Sequence, residues 1–179
     1  ELEKVLPSKP IRHILNTSGI FNYSEKQMEM VRLGIGLYGI GNSEQELKVL
    51  ENVSTLKTII SQIREVLPEE SIGYSRRFRV TQKMKVATVP IGYADGIRRA
   101  WGNEKGFVTI NNQKATILGS ICMDMMMVDV TNISCKTGDE VIVFGKNPNV
   151  TEMANVIGTI PYEILTGISQ RVKRIFFKN

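Results

Sequence analysis

Short apolar runs separated by polar stretches mark the first forty residues of the chain. The runs Ile11–Leu15 and Val31–Ile40 have the length and composition of buried strands, and Ser24 precedes a short helical pattern over Glu25–Met30. Glu1–Leu6 has the pattern of a helix end, which the following proline stops. This alternation of strand and helix predicts the last β/α units of a barrel with parallel strands, and we assign residues 1–48 to it.

A different pattern begins near residue 49, at the end of the polar segment Gly41–Leu50. Apolar and polar residues alternate there, as they do in strands with one buried face, and turn-forming pairs such as Asn111-Asn112 separate the runs. One helix is predicted over Thr151–Gly158, with Thr151 as its cap. The predicted strands are Val53–Val66, Phe78–Val89, Phe107–Ile110, Lys114–Leu118, Met125–Val130 and Glu140–Phe144. The predicted fold class is therefore mostly β, with an antiparallel β domain over residues 49–179 that follows the end of a truncated barrel.

Composition narrows the classes of function. The formal net charge of +5 would suit a domain that binds nucleic acid, but aromatic residues are only 7% of the chain and do not alternate with basic ones, so this alternative is remote. Two cysteines and one histidine exclude a zinc ribbon, a disulfide framework and a histidine-rich metal site. No signal peptide is visible, and no apolar run approaches the roughly 18 residues of a membrane span. We predict a cytoplasmic enzyme that binds neither membrane nor nucleic acid.

Tyr93 lies in the first segment with candidate chemistry, the sequence IGYADG. A tyrosine between glycines, just after a strand that ends at a proline, has little side-chain cover. A phenol has an ordinary pKa of about 10 and is a weak base at neutral pH, but it can transfer a proton when a nearby cation lowers that pKa. For this motif alone, a simple reversing turn at Asp95-Gly96 is the more frequent explanation.

A second segment, Cys122–Met127, carries five sulfur-containing residues in six positions. Methionine clusters line adaptable pockets, although they more often belong to a core. Asp124 is the exception in this segment, because a carboxylate inside an apolar run needs a partner.

Three further places carry groups that suit a phosphate. Thr17 in the cluster NTSG follows a predicted barrel strand, and Arg32 with Gly34 and Ile35 lies in the next one, which leads into a loop. Hydroxyls and main-chain amides near the ends of barrel strands bind phosphates. Tyr162 in the cluster PYE offers another hydroxyl. The alternatives are that NTSG is an ordinary loop, that Gly34 is simply a glycine in a strand, and that Tyr162 is a packing residue.

Six motifs follow one another along the chain: NTSG, VRLGIGLYG, GYSRRF, PIGYADG, ICMD and PYEILTGISQRV. Each is weak by itself, but together, in this order and spacing, they resemble the alanine racemase family from about His13 to the C-terminus. The variants GSICMDM and GYSRRF are similar to those of racemase domains fused behind a Mur ligase. Such a fusion is a further hypothesis.

The resemblance implies an enzyme that interconverts L- and D-alanine with pyridoxal 5′-phosphate (PLP). Its subunit pairs an N-terminal barrel with a C-terminal β domain, and a homodimer shares its active sites across the interface. The resemblance assigns Tyr93 as a catalytic base in the partner subunit's site and Arg32 to the pyridine nitrogen. Met123, through its main-chain amide, and its neighbour Asp124 are assigned to the substrate. The phosphate-binding positions are Thr17, Gly34, Ile35 and Tyr162.

The same resemblance sets limits on this chain. The family attaches PLP to a lysine near the start of the barrel, and no such motif precedes His13, so we expect the chain to be inactive alone. The full enzyme would supply D-alanine for peptidoglycan. Ser120 and Met125 stand where many relatives carry arginine and glutamine, which bears on local hydrogen bonding rather than on the reaction class. A racemase of this fold that acts on another amino acid, such as serine, stays open.

Overall fold

A computed structural model describes residues 5–177. The chain divides into two compact units, with the division between Ser54 and Thr55. Four of the six residues of the predicted helix end at Glu1–Leu6 lie outside the described part. The proposed domain boundary between residues 48 and 49 stays a prediction.

The first unit is built from short helices and extended segments. Its helices are α1 (Thr17–Asn22) and α2 (Glu44–Leu47), and single 3-10 turns cover Ser24–Lys26 and Ile35–Tyr38. The helix predicted over Glu25–Met30 is therefore only a short turn, and the small polar cluster NTSG begins a helix instead of a loop. Asn16 caps α1, since its side chain accepts a hydrogen bond from the Gly19 amide at 2.9 Å.

The two strands predicted in this unit are wrong, because residues 5–54 contain no assigned strand. The two segments nevertheless begin side by side: the Met30 amide donates to Arg12 O at 3.3 Å, and the Arg32 amide to Leu15 O at 2.8 Å. The second segment then turns, because Gly39 adopts a left-handed φ of 75° that favours glycine and ends the 3-10 turn. An apolar run rich in glycine does not distinguish this turn from a strand.

The second unit is mostly β, as predicted. Its strands are β1 (Leu56–Ile59), β2 (Gln62–Val66), β3 (Ser71–Ile72), β4 (Phe78–Arg79), β5 (Met84–Val89), β6 (Phe107–Ile110), β7 (Gln113–Leu118), β8 (Met126–Asp129) and β9 (Glu140–Phe144). A seven-stranded sheet has the order β1-β9-β6-β7-β8-β5-β2, and a two-stranded sheet joins β3 to β4. The strands of both sheets pair in antiparallel fashion.

The long predicted strand Val53–Val66 is two strands that pair at opposite ends of the sheet order. β1 pairs with β9 and β2 with β5, and only Ile60 and Ser61 separate them. Both intervening amides are bonded, Ile60 to Asp139 O and Ser61 to Thr88 O, each at 2.9 Å. Ile60 is fully buried, whereas Ser61 and Gln62 after it are both exposed, so the alternation of burial stops at the break although the hydrogen bonding continues. The predicted strand Phe78–Val89 is likewise divided into β4 and β5.

Two helices follow the sheet, α3 (Val150–Val156) and α4 (Pro161–Gly167). Asn149, and not Thr151, caps α3, because its side chain accepts from the Glu152 amide at 2.8 Å. Helix α4 was not predicted from the sequence; it has seven residues and begins at a proline, as first turns often do. Trp101 is fully buried and donates its indole N–H to Met153 O at 2.9 Å, which ties the loops before β6 to α3.

Candidate functional site

Tyr93 lies on a tight turn, which we call the tyrosine loop (Gly92–Gly96). Tyr93–Asp95 form one turn of 3-10 helix, and the Tyr93 side chain is 42% exposed. Ile91 and Ile97 on either side are buried, at 4% and 1% exposure. Burial of these two flanking side chains fixes the ends of the loop and leaves the phenol on its outer surface.

The glycines of this loop are required by close backbone contacts. A β-carbon at Gly92 would lie 2.4 Å from the carbonyl oxygens of both Cys122 and Met123. Gly96 has φ 105°, and a β-carbon there would lie 2.3 Å from Gly167 O. The tyrosine loop is therefore packed on two other segments at distances that only glycine permits.

The first of those segments is the methionine loop, which we define as Cys122–Met125. The Tyr93 amide donates to Cys122 O, and the Ala94 amide donates to Met123 O, both at 3.0 Å. A bond from the Cys122 amide to Met125 O at 2.9 Å closes the methionine loop on itself. Burial raises the pKa of the Cys122 thiol, so this group is a poor thiolate nucleophile near neutral pH.

The sulfur-rich run divides between surface and core. Met123 and Met125 on the loop are 53% and 43% exposed, whereas Met126 in β8 is fully buried. The alternatives weighed for this run, a pocket lining and a core, thus apply to different residues. Asp124 is paired, since Arg171 Nη2 lies 2.5 Å from Asp124 Oδ1, but its side chain is 56% exposed, so it is not the buried carboxylate that the apolar run suggested.

Arg171 also binds the tyrosine loop. Its Nε donates to Asp95 Oδ1 at 2.7 Å, while Asp95 Oδ2 accepts from the Gly92 amide at 2.8 Å. Partial burial of Asp95 would raise the pKa of its carboxyl, but the bonds from Arg171 and Gly92 outweigh burial and hold that pKa below its usual range. The two carboxylates raise the pKa of Arg171 in turn. The sequence offered no sign of this pairing, which joins residues 76 and 47 positions apart.

Tyr162 lies in the first turn of α4 and is 44% exposed. The end of α4 contacts the tyrosine loop through the close approach of Gly96 to Gly167. Arg98 also binds this helix, since its Nη2 donates to Glu163 O at 2.9 Å. The structure thus brings three predicted site segments of the second unit together: those of Tyr93, of Met123 with Asp124, and of Tyr162.

An open cavity of about 340 Å³ lies beside the methionine loop. Tyr74, which was not among the predicted site residues, lines it and is 71% exposed. The turn that presents Tyr74 has positive φ on both sides of it, 77° at Gly73 before it and 60° and 50° at Ser75 and Arg76 after it. Non-glycine residues in this region store strain, which concentrates at functional sites. In the sequence, the motif GYSRRF was the feature that could have indicated Tyr74 as a site residue.

The first unit contains the other predicted site residues. The Thr17 hydroxyl accepts from the Gly34 amide at 3.0 Å and from the Gly36 amide at 3.3 Å. Ile35 follows directly and is buried. Arg32 donates from its guanidinium to Ile14 O at 2.8 Å. The structure therefore places Thr17, Gly34 and Ile35 next to one another, with Arg32 two residues before Gly34.

The described part of the chain contains neither a candidate metal site nor a candidate membrane-spanning helix. Among residues 5–177, no group of three or more His, Cys, Asp or Glu side chains could hold a metal ion. Over the same residues, no helix is long and apolar enough to cross a membrane.

Family models account for nearly the whole chain. Residues 53–176 match the model of the alanine racemase C-terminal domain, and residues 1–42 match that of the N-terminal domain. The chain belongs to the alanine racemase family. The resemblance inferred from the motifs is thereby confirmed, together with the mostly β fold that follows the end of a barrel.

Known alanine racemases are similar over the whole chain. Alanine racemase 1 of Clostridium acetobutylicum is 39% identical over 100% of this chain and 48% of its own length. The Helicobacter pylori P12 enzyme is 40% identical over 98% of this chain and 50% of its own length. The chain thus spans about half the length of the curated alanine racemases that it matches.

Solved alanine racemase structures have the same fold. The Bacillus anthracis enzyme with bound L-Ala-P superposes with a TM-score of 0.89 at 31% identity, over 99% of this chain and 47% of that one. The Bartonella henselae enzyme with covalently bound pyridoxal phosphate gives 0.85 at 34% identity, over 96% and 48%. The Clostridium difficile enzyme in complex with cycloserine gives 0.86 at 38% identity, over 96% and 46%.

Proposed function

We propose that this chain forms part of a PLP-dependent racemase that interconverts L-alanine and D-alanine. The observation that carries the proposal is the pairing of the tyrosine loop with the methionine loop, in a chain of the alanine racemase family. This pairing brings a partly exposed phenol close to a main-chain segment that can bind a carboxylate. Racemisation of an amino acid needs both a group that holds the carboxylate and a group that moves a proton at the α-carbon.

Tyr93 is the proposed base for L-alanine. Its phenol is partly exposed and its backbone is fixed, so the loop presents the hydroxyl on a rigid support. The family's PLP lysine is the proposed base on the opposite face of the α-carbon, where it serves D-alanine. Two bases on opposite faces exchange the α-proton without any rotation of the substrate.

The main-chain N–H of Met123 is the proposed donor to the substrate carboxylate. Within residues 5–177, no main-chain hydrogen bond uses this N–H, whereas the carbonyl of the same residue accepts from Ala94. A main-chain donor without a protein partner is free for water or a ligand. We propose that Asp124, its neighbour, keeps this part of the methionine loop in place through Arg171.

One hydroxyl of the first unit, that of Thr17, suits the phosphate of PLP. The Thr17 hydroxyl already accepts two N–H groups, so its remaining capacity is to donate its own proton, as a phosphate oxygen requires. We propose that Thr17, Gly34, Ile35 and Tyr162 hold the phosphate and that Arg32 faces the pyridine nitrogen. When bound, PLP supplies the electron sink that makes the α-proton removable. A guanidinium at the ring nitrogen would keep that nitrogen unprotonated and moderate the sink.

The remaining parts of the proposal concern the whole enzyme. We propose a homodimer in which Tyr93 of one subunit acts in the active site of the other, and in which the D-alanine formed supplies peptidoglycan. The cytoplasmic location and the fusion to a Mur ligase stay hypotheses.

The test uses the longer enzyme that carries this chain together with its PLP lysine. Racemisation of L-alanine, D-alanine and L-serine is measured for the wild type, for Tyr93→Phe and for the control Tyr23→Phe, whose side chain is also half-exposed. We expect alanine turnover to fall about 10²–10⁴-fold in Tyr93→Phe, the usual loss for a general acid or base. The control should keep wild-type rates.

Two outcomes would contradict this proposal. Near wild-type rates for Tyr93→Phe in both directions would remove Tyr93 from the chemistry. A wild type that turns over L-serine faster than L-alanine would retain the mechanism but replace the proposed substrate.

A further inference from the structure

Arg171 connects the two loops that carry the proposed reactive groups. Its Nε contacts Asp95 in the tyrosine loop at 2.7 Å, and its Nη2 contacts Asp124 in the methionine loop at 2.5 Å. Each carboxylate is close to a proposed functional group, since Asp95 is two residues from Tyr93 and Asp124 is adjacent to Met123. A single guanidinium thus spans both loops from a third segment of the chain.

The two ends of this bridge differ in burial. The Asp95 side chain is 13% exposed, whereas that of Asp124 is 56% exposed. Without Arg171, Asp124 would be hydrated, but Asp95 would keep a mostly buried charge with only the Gly92 amide as a strong donor. A buried charge that loses its partner is destabilising, so the tyrosine loop would rearrange to hydrate it.

The rest of the C-terminal segment is held independently of the Arg171 side chain. The Ser169 amide donates to Asp95 O at 2.9 Å, and Gly167 lies against Gly96. Arg174 donates to the main-chain oxygens of Ile168, Ser169 and Val172. Replacement of the Arg171 side chain removes none of these contacts, and the two ion pairs that it does remove are those to the two loops.

We propose that Arg171 is a positioning residue that fixes the Tyr93 phenol relative to the Met123 main-chain N–H. The proposal rests on the proposed function, in which these two groups contact the substrate. Arginine suits this task because its planar fork directs two N–H groups at two carboxylates at once. A lysine, a flexible point charge, reaches one of them at a time.

The first experiment needs no cofactor. Amide hydrogen exchange of the 179-residue chain is measured in the wild type, in Arg171→Gln and in the control Lys173→Gln, which removes the same charge from an exposed position two residues away. We expect the Tyr93 and Ala94 amides, which bind the methionine loop, to exchange about tenfold or more faster in Arg171→Gln only. Amides of β6 should not change. Equal acceleration throughout the second unit would overturn a local role.

The second experiment measures kinetics in the longer enzyme. In Arg171→Gln we expect kcat/KM for L-alanine to fall about 10- to 100-fold, with a partial recovery in Arg171→Lys. Exchange of the α-proton should fall more from L-alanine than from D-alanine, because only the former uses Tyr93. Lys173→Gln should keep wild-type values. A merely structural role would lower both exchange rates equally.

The two experiments separate this proposal from the function on which it rests. A wild-type enzyme that racemises alanine, with unchanged kinetics in Arg171→Gln, would overturn the role of Arg171 alone. A wild type without racemase activity would overturn the proposed function and this role together, and the exchange result would still decide whether Arg171 holds the loops together.

Discussion

Replacement of Gly92 by alanine tests how closely the tyrosine loop is packed on the methionine loop. Gly92 has φ −144°, an extended conformation that alanine adopts freely, so the backbone itself is not strained by the change. The new β-carbon would lie 2.4 Å from two carbonyl oxygens, against the roughly 3.3 Å at which carbon and oxygen first come into contact. The two loops must therefore separate by about 1 Å.

The cost follows from the contacts that this separation disturbs. The bonds from Tyr93 to Cys122 and from Ala94 to Met123 each contribute about 0.5–1.5 kcal/mol. Residual overpacking lowers the free energy of unfolding by a further amount of about 1–3 kcal/mol. Alanine also restricts the unfolded chain, which raises the free energy of unfolding by about 0.4–1 kcal/mol. We expect Gly92→Ala to lower the free energy of unfolding by about 2–4 kcal/mol. A displacement of about 1 Å should also lower racemisation by the longer enzyme about 100-fold.

Gly138→Ala is the matched control. Gly138 has φ 93°, and a β-carbon added there would have no other residue within 4 Å, so alanine adds backbone strain without a clash. This strain lowers the free energy of unfolding by about 1–2 kcal/mol, and the restricted unfolded chain offsets part of that loss, as it does for Gly92→Ala. Urea denaturation of the 179-residue chain and racemisation by the longer enzyme are measured for both variants. A Gly92→Ala variant as stable and as active as Gly138→Ala would refute the inferred packing.

Three further predictions follow from other parts of the chain. The folded pKa of Asp95 lies below its unfolded value, so its contribution to stability is complete above the unfolded pKa and is lost as pH falls through the folded one. As the pH is lowered below the unfolded pKa of about 4, the wild type should lose more stability in denaturation experiments than Asp95→Asn, and parallel losses would contradict this. The 179-residue chain alone should form no D-alanine from L-alanine and PLP, because it spans about half the length of the alanine racemases that it matches and has no recognisable PLP-lysine motif before His13; product above a blank would contradict that. Amide exchange should be faster in residues 11–40 than in residues 114–144, because the first unit has no strand ladder in its described residues; uniform protection would count against this.

Strand positions were predictable where one run of alternating residues corresponds to one strand. β6 and β9 have the predicted limits, and β7 differs by one residue. The break inside Val53–Val66 was not predictable, because hydrogen bonding continues through it. The break inside Phe78–Val89 falls at residues 81–83, which are all exposed, so the polar residues there were a sign of it. Pairing partners decide where such a strand ends, and these partners lie far away in the sequence.

The residue types of the site were visible in the sequence, but their arrangement was not. Tyr93, Met123 and Tyr162 were selected from motifs, and the structure brings their segments together. The bridge from Arg171 to Asp95 and Asp124 forms only because three distant segments contact one another in the fold. The periodicity of the sequence does not predict such contacts. The first unit was the least predictable part, since a run such as Val31–Ile40 contains glycines that permit a turn as readily as a strand.

The tyrosine loop is held by carbonyl oxygens of Cys122 and Met123, and not by their side chains. Every amino acid presents the same carbonyl, so substitutions at these two positions leave the support of Tyr93 unchanged. The exposed side chain of Met123 is therefore free to vary, and with it the surface beside the cavity. Selection can alter which molecule this surface accepts while the proton-transferring group keeps its place.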